Sequence, residues 1–146
     1  MIEADDLRDG HEVLEPSAGT GAITSAVLAL RRCAVTAVEI DPGLCTRLRA
    51  SVILNRDFLS CSDLGPFDRV LMKPPFAQGA DIRHINHASR FLKPGGMLVA
   101  ICANGPRQQS ELRPLATTWE ELPDDAFAAE GTRVRTVLFT IHASLA

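Results

Sequence analysis

Apolar and polar positions along the chain fall into two alternating rhythms, and each predicts an element. "HEVLEP" is a short apolar strand running into a glycine-containing loop. From Gly21 to Arg32, residues Ile23, Ala26, Val27 and Leu30 recur at helical spacing. "CAVTAVEI" is a largely apolar strand run that reaches an acid near its end. Pro42 at a helix start, with Leu44 and Leu48 four apart, predicts a second helix. "SVIL" and "DRVLM" read as the third and fourth strands. A helix is expected from about Ala80 to Leu92, with Ile82, Ile85 and Leu92 on one face. "KPGG" reads as a turn and "MLVAIC" as a fifth strand. A weaker helical pattern over Arg107 to Leu112 stops before Pro114. The long β-branched run "RVRTVLFTIHA" closes the chain, with "AFAAEGT" before it as the expected antiparallel partner.

Strands alternating with helices predict an α/β fold, Rossmann-like, with a mostly parallel sheet covered on both faces. The last two strand signals have no helix between them, which predicts a terminal hairpin and an antiparallel edge. Ligands bind outside the carboxyl ends of the strands in such sheets. Candidate chemistry is therefore sought in the loops that follow them.

Size and charge narrow the picture. The 146 residues suit one domain, 1–146, with 46% hydrophobic and 23% charged residues. A net charge of −3 with scattered arginines argues against binding nucleic acid by charge alone. Cys33, Cys45, Cys61 and Cys102 show neither CxxC pairing nor zinc-ligand spacing, so no metal is expected and reduced thiols are. No apolar run approaches a membrane span, and the acidic start "MIEADDLRDG" is unlike a signal peptide. A cytoplasmic location is expected.

Three strand-end loops look like parts of a nucleoside site. "EPSAGTG", Glu15 to Gly21, follows the first strand and opens the first helix. Gly19 and Gly21 permit close backbone approach, and the helix start offers free N–H groups. Position 24 is Thr, so the third glycine of the dinucleotide fingerprint is missing, which counts against NAD. Glu39, at the end of the second strand, is placed to accept ribose hydroxyls. Asp41 beside it reads as a helix N-cap before Pro42. In "NRDFL", Asp57 is a candidate partner for an exocyclic amine, and Phe58 for covering a base or packing below it. Taken singly, each of these residues is also an ordinary turn or strand-end residue.

Together the loops resemble the class I S-adenosylmethionine-dependent methyltransferases, over Val13 to Ile141 and including "FLKPGGMLVAI". The resemblance implies a seven-stranded sheet with an antiparallel last strand and S-adenosyl-L-methionine as cofactor. It implies that Glu15, Pro16, Ala18, Gly19 and Gly21 line the methionine part, Glu39 and Ile40 the ribose region, and Asp57 and Phe58 the adenine. Relative to that family, the N-terminal helix and a target-recognition domain are expected to be absent, leaving a fragment or a minimal enzyme that relies on a partner.

After the fourth strand comes "LMKPPF". It is similar to the Asn/Asp-Pro-Pro-aromatic motif of amino-group methyltransferases, the N6-adenine DNA enzymes above all, and also those acting on a protein glutamine. The resemblance makes Lys73, Pro74, Pro75 and Phe76 the catalytic candidates, with Phe76 stacking on a flipped-out base. Pro74, Pro75 and Phe76 match, whereas Lys73 departs. An ammonium has three donors and no acceptor, so it cannot receive the N–H bonds of a target amine. It also brings positive charge toward a sulfonium, a repulsion of roughly 4 kcal/mol at about 4 Å and intermediate dielectric. Of the 15 basic residues only Lys73 and Lys93 are lysines, which makes the substitution conspicuous.

Two classes of function stay open: an aminomethyltransferase, acting on DNA adenine ahead of RNA or protein glutamine, and a cofactor-binding module without transfer. A nicotinamide oxidoreductase ranks third. His84 and His87, three apart, read as a polar flank, "CANGPRQQ" as a loop and helix start, and Trp119 as core or edge cover.

Overall fold

The computed structural model describes residues 7–127 and 134–145. Chain order is β1 (Glu12–Glu15), α1 (Ala22–Leu30), β2 (Ala34–Val38), α2 (Pro42–Cys45), β3 (Val52–Leu54) and β4 (Phe67–Met72). Then come α3 (Ala80–Ala88), β5 (Leu92–Ala103), α4 (Pro106–Glu111), β6 (Thr118–Glu121) and β7 (Thr136–His142). The seven strands form one sheet in the order β3-β2-β1-β4-β5-β7-β6. All pairings from β3 through β5 are parallel, and β7 runs antiparallel to both β5 and β6. This is the Rossmann-like sheet with an antiparallel last strand that the pattern predicts.

Period-2 geometry explains why the central strands read as continuous apolar runs. Leu14, Val70, Met72, Leu98 and Ala100 face the layer holding Ile82 and Ile85 of α3 and Leu112 beyond α4. Their neighbours Val13, Leu71 and Val99 face the opposite layer, with Val27 of α1. Each fully buried aliphatic side chain contributes about 1.5–3 kcal/mol relative to exposure.

Several boundaries differ from the sequence reading. The second helix is a single turn: Asp41 caps it through Gly43 and Leu44, but Gly43 is a poor helix former. Thr46 Oγ1 donates to the Gly43 carbonyl at 2.7 Å, and Leu48 then packs on Ala18 and Ala37. The third helix stops at Ala88 and ends in a 3₁₀ turn, Ser89–Phe91. "KPGG" lies inside β5, where pairing with β4 jumps from Phe67↔Leu92 to Arg69↔Met97. The antiparallel partner of β7 is Thr118–Glu121, not "AFAAEGT"; residues 128–132 of that stretch lie outside the described residues. Trp119 sets this pairing by packing on Phe139, ring centroids 5.3 Å apart.

The four cysteines are free thiols. Among the described residues no helix is long and apolar enough to cross a membrane.

Strand order reverses between β1, whose other neighbour is β2, and β4, which continues toward β5. That reversal opens a crevice outside the carboxyl ends of β1 and β4. Glu15 ends β1, and Lys73 follows β4 directly.

Candidate active site

Two cavities meet at this crevice, both touching Ser17 and Gly19. The larger, about 420 Å³, lies between the loops after β1, β2 and β3; Pro16, Glu39, Ile40, Asp57 and Phe58 line it. Arg56, Pro75 and His84 complete its far wall. The smaller, about 350 Å³, is bounded by Glu15, Ala18, Gly19 and the start of α1 on one side and by Lys73 on the other. The structure thus brings loops from four strands to one place.

The loop after β1 is held by its own backbone and by a carboxylate. The Ala18 N–H donates to the Val38 carbonyl at 3.0 Å, tying the loop to β2. The Gly19 N–H donates to Glu39 Oε1 at 2.7 Å, and Glu39 Oε2 accepts from the Asp41 N–H at 2.9 Å. Glu39 is buried. Two anchored oxygens keep lone pairs for further donors, since a carboxylate has about four acceptor sites. Gly19 and Gly21 both take left-handed backbone, at φ 57° and 84°. Gly21 lies against Leu48 rather than on either cavity wall, so its role here is the turn into α1.

Glu15 is buried at the floor of the smaller cavity, and burial lifts its carboxyl to about 7. The Thr24 hydroxyl donates to it and opposes the rise; the Glu39 charge adds to it. Thr24 was legible only as a missing glycine. Its partnership with Glu15 depends on α1 folding back one turn above the β1 end.

Asp57 caps a 3₁₀ turn, its Oδ1 accepting from the Leu59 N–H at 3.1 Å, and stays exposed. Phe58 is buried beneath the cavity, packed on Phe91 and His87 with ring centroids 5.9 and 5.0 Å away. It forms a floor, so covering a ring from above falls to other residues. His84 stacks on Phe58 at 6.0 Å, and its Nδ1 meets the Ala80 carbonyl at 2.8 Å. His87 Nε2 meets the Cys61 carbonyl at 2.7 Å. Nothing in the sequence marked His84 as a cavity wall.

Beyond β4, Pro74 is buried, Pro75 is exposed on the larger cavity, and Phe76 is half-buried. Lys73 is half-buried, and its Nζ lies over the Phe127 ring, 3.8 Å from the centroid. Phe127 belongs to the connection that follows β6. Its arrival at Lys73 has no signal in the sequence, where it read as part of a strand.

No protein-family model and no curated protein matches the sequence. Solved structures do match in fold. A Listeria monocytogenes protein described as a class I S-adenosylmethionine-dependent methyltransferase superposes with a TM-score of 0.74 at 15% identity, over 93% of this chain and 54% of its own. The N-methyltransferase NodS from Bradyrhizobium japonicum gives 0.69 at 14% identity, over 93% and 88%. An rRNA methylase from Streptococcus thermophilus gives 0.66 at 11% identity, over 97% and 91%. The chain spans about half the length of the first and about nine tenths of the other two. It has the fold of the class I S-adenosylmethionine-dependent methyltransferases.

Proposed function

We propose that the protein binds S-adenosyl-L-methionine and belongs to the methyltransferases that act on an amino group, adenine N6 in nucleic acid first among them. The observation that carries the cofactor reading is the buried Glu15 carboxylate facing a cavity continuous with the Glu39 pocket. A buried acid with a raised pKa and a hydroxyl as its side-chain partner is set to receive a cation. An amino-acid ammonium and a sulfonium fit that chemistry, and a dinucleotide's phosphates do not. Glu39 would take the ribose hydroxyls, Asp57 an exocyclic amine, and Phe58 the underside of the base. When bound, the cofactor supplies an electrophilic methyl group at sulfur.

The chain's own residues bear on the acceptor. The Pro74 carbonyl offers a hydrogen-bond acceptor for an amine, and Phe76, half-buried after Pro75, offers a ring for a planar group. A base presented there must leave its stack. Lys73 supplies donors only, so the second acceptor that would orient an amine lone pair is missing. The Lys73 form is therefore a weak aminomethyltransferase. DNA is favoured by the Pro-Pro-aromatic run; RNA and a protein glutamine share the amide or amine chemistry. Target selection would fall to a partner, in the cytoplasm.

A module that binds the cofactor without transfer is the second reading, and Lys73 at the acceptor corner favours it. Calorimetric titration tests binding: S-adenosylmethionine should bind and NAD should not. Labelled methyl transfer to unmethylated DNA and RNA separates the two readings. Lys73→Asn should raise transfer at least tenfold, since each tenfold is about 1.4 kcal/mol of barrier. Binding by both forms with no transfer from either would leave the binding module as the function.

A further inference from the structure

We infer that Phe127 is a positioning residue that holds the Lys73 ammonium away from the cation subsite beside Glu15, so that a positively charged ligand can occupy it. The inference rests on the S-adenosylmethionine reading above.

Lys73 bounds the same cavity as Glu15, so its flexible stem is long enough to serve either of two negative environments. One is the Glu15 carboxylate, and the other is the π-face of Phe127. The structure has the ammonium on the ring, 3.8 Å from the centroid, well within the range of a cation–π contact. Glu15 is consistent with that choice. Its carboxyl stands near 7, lifted by burial and by Glu39, and among the described residues no cation offsets the rise.

The elements explain how the contact arises. β6 is parallel to β5, since both are antiparallel to β7, and its carboxyl end lies on the same side as that of β4. The chain leaving β6 passes Pro123 and brings Phe127 to the residue that follows β4. A ring there does what an aliphatic side chain cannot: it gives the ammonium an attractive site outside the cavity. Without the ring, Lys73 would compete with a ligand cation for Glu15, or repel it at close range. The effect is selective by charge. A sulfonium ligand feels it, and its neutral thioether counterpart, S-adenosylhomocysteine, does not beyond the ammonium that the two share.

The test is a double-mutant cycle with both ligands. Phe127→Leu keeps apolar bulk and removes the π-face; Lys73→Met removes the charge and keeps the length. Calorimetry should show Phe127→Leu weakening S-adenosylmethionine three- to tenfold more than S-adenosylhomocysteine. In the Lys73→Met background the same change should shift the two ligands equally. A loss common to both ligands, or an unchanged ratio, overturns the inference and leaves Phe127 as packing. A second measurement needs no cofactor. With only two lysines in the chain, the ε-methylene resonances of Lys73 and Lys93 are readily assigned. Those of Lys73 should be shifted upfield by the ring and return on Phe127→Leu. If neither ligand binds but the ring shift is present, the cofactor reading fails while the Lys73–Phe127 contact stands. If the ring shift is absent, the positioning role is wrong whatever binds.

Discussion

The Gly19 N–H donates to Glu39 Oε1 at 2.7 Å, joining the loop after β1 to the end of β2 across the mouth of the larger cavity. One carboxylate thus shapes the glycine loop and, through Oε2, the turn into α2. Glu39→Ala leaves two backbone donors without their acceptor, each costing about 1–3 kcal/mol where water cannot replace it. Urea unfolding should show a loss of about 2 kcal/mol, and calorimetry at least a tenfold weaker affinity for S-adenosylmethionine. An affinity unchanged in Glu39→Ala would remove the ribose assignment.

Glu15 links pH to both stability and binding. Its ordinary value is 4.5, and in the folded chain burial raises it to about 7. Between these values the folded state keeps a proton that the unfolded state has released. Stability conferred by that proton is complete below about pH 4.5 and is lost as pH rises through about 7. The loss is on the order of 3 kcal/mol at 1.36 kcal/mol per unit. Unfolding of the apo protein across this range should show it, and Glu15→Gln should flatten the slope. Affinity for S-adenosylmethionine should move the opposite way, rising toward pH 7.5 as the carboxylate ionises to meet the cation.

Two glycines of one loop should separate under the same substitution. Gly21 has φ 84°, and an added Cβ would stand 2.9 Å from Leu48 Cδ2. Gly21→Ala should cost about 1–2 kcal/mol in left-handed backbone, with some shift of Leu48 besides. Gly19 has φ 57° and open space where its Cβ would be, in the wall of both cavities. Gly19→Ala should carry a backbone cost of similar size and, in addition, weaken cofactor binding by displacing the ligand from the loop. Thermal unfolding and calorimetry on the same two variants check the split.

Phe76 is half-buried, and its role is separable from that of the core. Phe76→Ala should lower stability by less than about 2 kcal/mol, short of the 3–5 kcal/mol of a core phenylalanine. Transfer to a planar acceptor in the Lys73→Asn background should fall five- to a hundredfold through lost stacking, about 1–3 kcal/mol. A stability loss of core size with transfer unaffected would assign the ring to packing.

Strands and their order along the chain were legible because β-branched and apolar runs leave a local imprint. Val13–Leu14, Val70–Met72 and Leu98–Ala100 are buried on both faces, so no polar alternation interrupts them. The loops after β1, β2 and β3 were legible for a related reason: a parallel sheet places ligand contacts where strands end, at positions countable from the sequence. Contacts between distant segments carry no such imprint. Trp119 lies in a four-residue strand of mostly polar residues whose stability comes from Phe139, twenty positions later. Thr24 meets Glu15 only because α1 folds back over the end of β1. Phe127 meets Lys73 only because β6 and β4 point the same way in a sheet that β7 closes. Local periodicity therefore determined the elements and the loops that could hold a cofactor. Tertiary structure alone decided which charges face one another there, because that depends on strand order and direction, set by packing summed over the whole sheet.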